Sequence, residues 1–414
     1  MSESDARPNK ILVSWPSSDG PLSSEPGPAE YPGDLRPTCR PFIRSNDLLD
    51  GDGRIRDAAA AQELRRRSAA CGYVFFEKLL PPHAVLEVRR AFVQILDDAG
   101  WLDAERDDAL STRAIHTPLG SKLEGQEEYR PIMRAFQSLE SFHALSRSPK
   151  LLDVLDALFD EPTFVHPRNI GRIILPQKND FKTMPHQDWV HIQGCPNTIT
   201  GWLPLGDVSV DDGGLAVLEG SSRYGVRRHW NKDLLGLVGG AGGIGVTCKE
   251  LEERGCVWKT ADYKAGDILL FNSLAIHQAL PNLSDSIRLS CDFRYSGLSK
   301  EVVPDGLLPH GNIAPWPDLY HGESAGAGTK RWADDSSQQF YWVPERARPR
   351  LVERIPGYHV GEDNDEQPQA FVNLGIAPPN RVLDAEAVDA AIKGSMAGAQ
   401  LDPRKRGIVF KHSL

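Results

Sequence analysis

The chain has 414 residues, above the usual one-domain range but within reach of a β-sandwich or barrel carrying helical additions, so one large core with extensions is expected. Apolar residues make up 40% and charged residues 25%, ordinary for a soluble globular protein, and no apolar run approaches the ~18 to 20 residues of a membrane helix. A net charge of −10 is the wrong sign for a nucleic-acid footprint and points to a small-molecule partner.

The first 45 residues carry prolines at 8, 16, 21, 26, 28, 32, 37 and 41 and read as an irregular arm. From Arg54 to Arg67 the text is Ala- and Arg-rich and helical, followed by the β-favouring run Gly72-Tyr73-Val74-Phe75-Phe76. Pro81-Pro82-His83 opens a second helix through Asp98, with Val85, Val88, Phe92 and Leu96 at helical spacing. A third is predicted from Lys150 to Phe159.

Beyond residue 163 the texture changes to short β-like runs between turn residues: Thr163 to His166, Gly171 to Leu175, Trp189 to Ile192, Thr198 to Leu205, Leu215 to Leu218, Asp267 to Phe271 and Ile287 to Tyr295. Such a series suggests a sandwich or barrel. The stretch 226–256 interrupts it and, with five glycines between Gly239 and Gly245, reads as a mobile loop or lid. The division expected is therefore an arm over 1–45, a core domain over 46–300 with the insertion 226–256, and an irregular extension over 301–414 packed on the core, with one helix around Asp384 to Lys393. The six cysteines form no CxxC pair and the N-terminus lacks the apolar core of a signal peptide, so reduced thiols in a cytoplasmic enzyme are expected.

The chemistry is concentrated in Met184-Pro185-His186-Gln187-Asp188-Trp189. On a strand, His186 and Asp188 share a face and can grip one metal ion together. A third ligand is available in His277, and eleven residues beyond it stands Arg288. Two His and one carboxylate form a facial triad that leaves positions open on a non-haem Fe(II) for co-substrate and O2. Around His277, the small residues Ser273, Ala275 and Ala279 share its face. Along the last strand Arg288, Ser290, Asp292 and Arg294 line the pocket, while Ile287, Leu289, Cys291, Phe293 and Tyr295 pack on a second sheet.

A buried arginine needs an anion, and its planar fork suits a carboxylate. The dicarboxylate 2-oxoglutarate meets that demand, with one end on iron and the far carboxylate on Arg288. Trp189, His191 and Trp202 are candidates to reach or wall in the substrate, against ordinary core packing for the tryptophans and a second-shell or surface place for His191.

At this point the chain resembles the phytanoyl-CoA dioxygenase family of Fe(II)/2-oxoglutarate oxygenases. The resemblance rests on His186-Gln187-Asp188-Trp189, Thr200-Gly201-Trp202-Leu203-Pro204-Leu205, Asp211-Asp212-Gly213-Gly214-Leu215 through Ser222, and Gly266-Asp267 through Arg288, and it spans roughly residues 55 to 300. It implies a mostly β fold, a double-stranded β-helix (jelly-roll, cupin-like) core flanked by helices. It places iron on His186, Asp188 and His277, and 2-oxoglutarate on Arg288. Glu219 stands where the family usually has proline and Ser222 where it often has histidine. Ala279 replaces a residue that in some members helps hold 2-oxoglutarate, for which Thr183 and Ser290 are the substitutes considered.

Gly240-Ala241-Gly242-Gly243-Ile244-Gly245 matches GxGxxG, but the short, Gly-broken run before it argues against a dinucleotide site. The reaction expected is hydroxylation, or another oxidation, of a C–H bond in a small molecule such as a specialised metabolite or acyl compound. The carboxylate of Asp188 argues against halogenation, which needs that position free. Rivals are a non-catalytic jelly-roll protein that binds a metal or metabolite, and a zinc hydrolase, for which no HExxH is present.

Overall fold

The computed structural model describes residues 35–36, 38–106, 108–115, 129–176, 184–227, 229–230, 244–321, 349–352 and 359–360. A two-residue strand, β1 (Arg40–Pro41), precedes α1 (Ala58–Cys71), β2 (Tyr73–Phe76) and the helices α2 (Pro82–Asp98), α3 (Arg130–Gln137), α4 (Glu140–Leu145) and α5 (Pro149–Phe159). Local chemistry sets these boundaries. The Asp57 carboxylate accepts from the Ala60 N–H at 2.7 Å and caps α1. Gly72 ends α1 at φ +83°, where a Cβ would come 2.8 Å from Ser222 Oγ. Pro82 and Pro149 sit in the first turns of α2 and α5, where no N–H is needed.

The β-rich part follows as β3 (Thr163–Val165), β4 (Ile170–Ile174), the helical turn α6 (Trp189–Ile192), β5 (Ile199–Pro204), β6 (Leu215–Glu219), β7 (His229–Trp230), α7 (Gly245–Glu253), β8 (Val257–Thr260), β9 (Ile268–Asn272), β10 (His277–Ala279) and β11 (Arg288–Gly297). After these come β12 (Glu301–Val302), α8 (Trp316–His321), β13 (Arg350–Leu351) and β14 (His359–Val360). A six-stranded antiparallel sheet runs β2-β9-β5-β11-β3, with β4 also paired to β11. A four-stranded sheet runs β1-β8-β6-β10, antiparallel except for the parallel β1–β8 edge. The two form the sandwich of a double-stranded β-helix, with α2 to α5 packed on the large sheet and α7 on the small one, and the sheets do not close into a barrel among the described residues.

The large sheet is buried on both faces. Val74, Phe76, Ile268, Leu270, Leu289, Cys291, Phe293 and Tyr295 join the cluster that contains the apolar faces of α2 to α5. Their alternates Tyr73, Phe75, Leu269, Phe271 and Trp202 point the other way and pack with Leu215 and Val217 of the small sheet. The apolar face of β11 therefore meets the helices and not a second sheet. It is the polar face that looks into the sandwich, because the helix stripes need an apolar partner and the site does not.

Other expectations change. Residues 189–192 form a helical turn and not a strand, since the His191 and Ile192 N–H groups both bond back to the Asp188 carbonyl at 2.9 and 3.0 Å. Within 226–256, α7 is a helix whose Cys248 and Leu251 are buried beside Trp258, so that part is packed structure; residues 231–243, with most of the glycine motif, lie outside the described residues. The end of the N-terminal arm belongs to the core, with Leu35 and Phe42 buried and β1 on a sheet edge. The helix expected at 384–393 also lies outside the described residues. No helix among the described residues is long and apolar enough to cross a membrane.

The helix layer is joined by Phe92, fully buried and stacked on Phe136 with ring centroids 3.6 Å apart. Phe92→Ala leaves a cavity there and is expected to cost about 3–5 kcal/mol in urea unfolding. A loss under about 1 kcal/mol would show that the layer collapses to fill the space.

Candidate metal centre

His186 and His277 meet through a pair of reciprocal backbone hydrogen bonds, each N–H to the other's carbonyl at 3.0 Å, in an isolated antiparallel bridge. Asp188 follows two residues later in helical conformation at the head of α6. One ligand atom from each of the three side chains lies within 4.8 Å of the others, and all three residues are buried. Both imidazole Nε2 atoms face the same carboxylate oxygen, Asp188 Oδ1, at 3.8 Å from His186 and 3.7 Å from His277.

The segment is braced from both sides. Gln187 Nε2 donates to the carbonyls of Gly225 (2.8 Å) and Leu274 (2.7 Å), and its Oε1 accepts from the Arg227 N–H at 2.7 Å. The Trp189 N–H donates to the Ser273 carbonyl at 3.0 Å.

The donor set suits a divalent metal. His186 Nδ1 lies 2.8 Å from the Met184 carbonyl and His277 Nδ1 3.0 Å from the Ala275 carbonyl, so each ring is held by an Nδ1–H bond that leaves Nε2 with its lone pair toward the centre. Burial lowers both imidazole pKa values, and for His186 the neighbouring His277 adds to it, so both rings are neutral at pH 7. For Asp188 burial would raise the pKa, but Arg294, the two imidazoles and the Thr200 hydroxyl outweigh it and hold the carboxyl well below the usual range. Two neutral nitrogens and one carboxylate oxygen are the ligands of a facial triad.

Arg288 is buried on the polar face of β11, and among the described residues it has no ion-pair partner. Its Nε donates to the Gly213 carbonyl at 3.2 Å, its Nη1 to Ser290 Oγ at 2.5 Å, and its guanidinium carbon lies 5.6 Å from the Trp202 ring centroid. Burial pushes its pKa down to about 10, so it stays charged at neutral pH. Gly213 makes this contact possible: its φ is +82°, and a Cβ would come 2.7 Å from the Leu280 carbonyl. A buried cation held only by neutral groups fits an anionic ligand.

The remaining candidates are dispersed. Ser290 orients Arg288, and Trp202 packs against Arg288 and Tyr263. Trp189 is fully buried with Val190 and Val226, its Nε1 on the Gly194 carbonyl at 3.2 Å. His191 is half-buried with its ring 5.9 Å from that of His186. Thr183 lies outside the described residues. Sequence reasoning missed two groups on Asp188 itself. Thr200 Oγ1 donates to Oδ2 at 2.5 Å, and Arg294 Nη2 lies 3.1 Å from the same oxygen. Strand parity had put Arg294 on the pocket face, but no pattern along the chain names its partner.

The β-sandwich thus carries a buried two-His, one-carboxylate set that could hold a metal ion, and on β11 a buried arginine hydrogen-bonded only to neutral groups. The chain belongs to the phytanoyl-CoA dioxygenase family, whose profile matches residues 69–290. Among curated proteins it is similar to the 1-deoxypentalenic acid 11-beta-hydroxylase of Streptomyces arenae, 29% identical over 191 residues, which are 44% of this chain and 64% of that protein. It is likewise similar to the enzyme of the same name from Streptomyces exfoliatus, 27% identical over 205 residues, 47% of this chain and 69% of that one. The match thus spans just under two thirds of the first relative's length. Among solved structures, the epimerase SnoN from nogalamycin biosynthesis, in complex with Fe3+, alpha ketoglutarate and nogalamycin RO, is 19% identical with a TM-score of 0.41, covering 66% of this chain and 94% of SnoN. EctD from S. alaskensis with 2-oxoglutarate and 5-hydroxyectoine is 18% identical with a TM-score of 0.40, covering 66% and 88%.

The pairing with Arg294 separates two substitutions. His186→Ala is expected to abolish Fe(II) binding in anaerobic calorimetry with little change in melting temperature. Asp188→Ala removes the metal ligand and also strands a buried guanidinium, so it is expected to cost a further ~3–5 kcal/mol of stability. Equal stability of the two variants would show that Arg294 does not depend on Asp188.

Proposed function

We propose that the protein is an Fe(II)- and 2-oxoglutarate-dependent dioxygenase that hydroxylates, or otherwise oxidises, a C–H bond of a small-molecule substrate, releasing succinate and CO2. The observation that carries this reading is the pairing of a buried His186-Asp188-His277 cluster with Arg288, a buried cation that has no carboxylate of its own among the described residues. Iron, 2-oxoglutarate and O2 supply the oxidising power, and the protein's contribution is binding, orientation and exclusion of water.

Each residue then has a defined task. His186 and His277 offer Nε2 because the Met184 and Ala275 carbonyls hold Nδ1–H. Asp188 offers Oδ1 and fills the position that a halogenase leaves open. Arg288 takes the distal carboxylate of 2-oxoglutarate, with Ser290 and the Gly213 carbonyl fixing the plane of its fork and Trp202 covering one face. Trp202 and His191 are proposed to line the substrate side, and Thr183 to help hold 2-oxoglutarate. Trp189 is proposed to act through packing, since it is fully buried. The relatives named as hydroxylases of 1-deoxypentalenic acid support a specialised metabolite as substrate. We place the oxygenase unit in residues 46–300, joined at the edge of its small sheet by β1 (Arg40–Pro41).

The reading is tested by incubating the protein with Fe(II), 2-oxoglutarate and O2 across a panel of metabolites and following succinate. Wild type is expected to release succinate, faster with the right substrate, and His186→Ala to release none. Arg288→Lys keeps the charge but loses the fork, and is expected to weaken 2-oxoglutarate binding more than tenfold, as truncating a buried charged pair costs ~2–5 kcal/mol. Tight binding of iron and 2-oxoglutarate with no succinate from any substrate would favour a non-catalytic binding protein instead.

A further inference from the structure

We propose that Arg294 and Thr200 are positioning residues that hold Asp188 to a single metal-facing oxygen, and so keep free the coordination position that its second oxygen would take. The role rests on the assignment of iron to the triad.

Thr200 and Arg294 are direct cross-strand partners in the β5–β11 ladder, so their side chains leave the sheet on the same face. Both converge on one atom: Thr200 Oγ1 lies 2.5 Å and Arg294 Nη2 3.1 Å from Asp188 Oδ2. The other oxygen, Oδ1, is the one that both imidazole Nε2 atoms face. The carboxylate is thereby divided, with one oxygen for the protein and one for the centre.

The guanidinium has little other employment. Its Nη1 reaches only the Phe293 carbonyl at 3.4 Å, its Nε has no hydrogen-bond partner, and Asp188 is its one ion pair among the described residues. His166, whose backbone N–H donates to the Arg294 carbonyl at 2.9 Å, has its Nε2 3.0 Å from Ser296 Oγ and offers no negative charge. Leaving one N–H of a buried arginine unsatisfied is costly, and the ion pair with Asp188 is what compensates its charge. That ion pair and the Thr200 hydrogen bond together fix the rotation of Asp188. A carboxylate free to turn could bind through both oxygens, and a six-coordinate metal would then keep two open positions where a chelating 2-oxo acid and O2 together need three.

The experiment uses Thr200→Val, which keeps the shape and removes the hydroxyl, together with Arg294→Gln and Arg294→Lys. Fe(II) affinity is measured anaerobically by calorimetry. The visible absorption of the Co(II)-loaded protein, whose intensity follows coordination number, is recorded before and after adding 2-oxoglutarate. Thr200→Val and Arg294→Gln are each expected to weaken Fe(II) binding by about ten- to a hundredfold and to blunt the absorption change that 2-oxoglutarate causes in wild type. Arg294→Lys is expected to recover part of both. Wild-type affinity and an undiminished absorption response in Thr200→Val and Arg294→Gln would overturn the proposal while leaving the iron assignment standing. Failure of the wild type to bind Fe(II) would instead remove the assignment on which it rests. If Arg294→Gln does not fold, Thr200→Val decides the matter, because a single hydroxyl facing a carboxylate is not needed to fill the core.

Discussion

The site depends on two backbone hydrogen bonds between His186 and His277. They join segments that are remote in sequence, and they bring the imidazole centroids to 4.2 Å while leaving both rings on one side. Everything else at the centre is arranged around that bridge. Gln187 uses both ends of its carboxamide to hold the bridge's flanks, and α6 begins immediately afterwards so that Asp188 turns back toward the pair. Backbone geometry, not side-chain packing, fixes the separation of the two nitrogen donors. A hydrogen bond from Thr200 and the ion pair with Arg294 then fix the carboxylate.

The polar face of β11 carries its charges inside the sandwich, and burial of charge is tolerated only with compensation. Arg172 pairs with Asp292 at 2.8 Å and Arg294 with Asp188. Arg288 alone of these three is held by neutral groups. The imbalance lies at the one place where the proposed chemistry brings in a negative ligand. The opposite face of the same strand packs on α4 and α5 through Phe293, Tyr295 and their neighbours, which makes the strand stiff under its functional side chains.

Much of this was legible along the chain. The helix from Pro82 follows from apolar spacing and a proline in its first turn, that over Pro149–Phe159 from apolar spacing, and their ends fall within a residue or two of expectation. Parity along β11 separated its polar from its apolar face, although the partner of the apolar face was misplaced because a run such as Ile268–Asn272, buried on both sides, has no alternation that says which layer lies where. Residues 189–192 read as strand because Trp, Val and Ile favour extended structure, yet the need to turn Asp188 toward the histidines overrode that preference. Thr200 could not be linked to Asp188 from sequence, since a hydrogen bond between strand and helical turn leaves no periodic trace.

The pairing of β2 with β9 places Tyr73 beside Phe271, and β11 supplies the apolar wall under α2 to α5. During synthesis those helices leave the ribosome long before that wall exists. At about 5–20 residues per second, the interval between the end of α5 and the arrival of β11 is on the order of ten seconds. Until then the stripes of Val88, Phe92, Phe136, Phe142 and Leu155 lack the wall of Leu289, Cys291, Phe293 and Tyr295 that completes their cover. The nascent chain therefore presents a sticky helical hairpin set to the cell for far longer than helix formation takes, and holding chaperones meet it before its metal ligands have been translated.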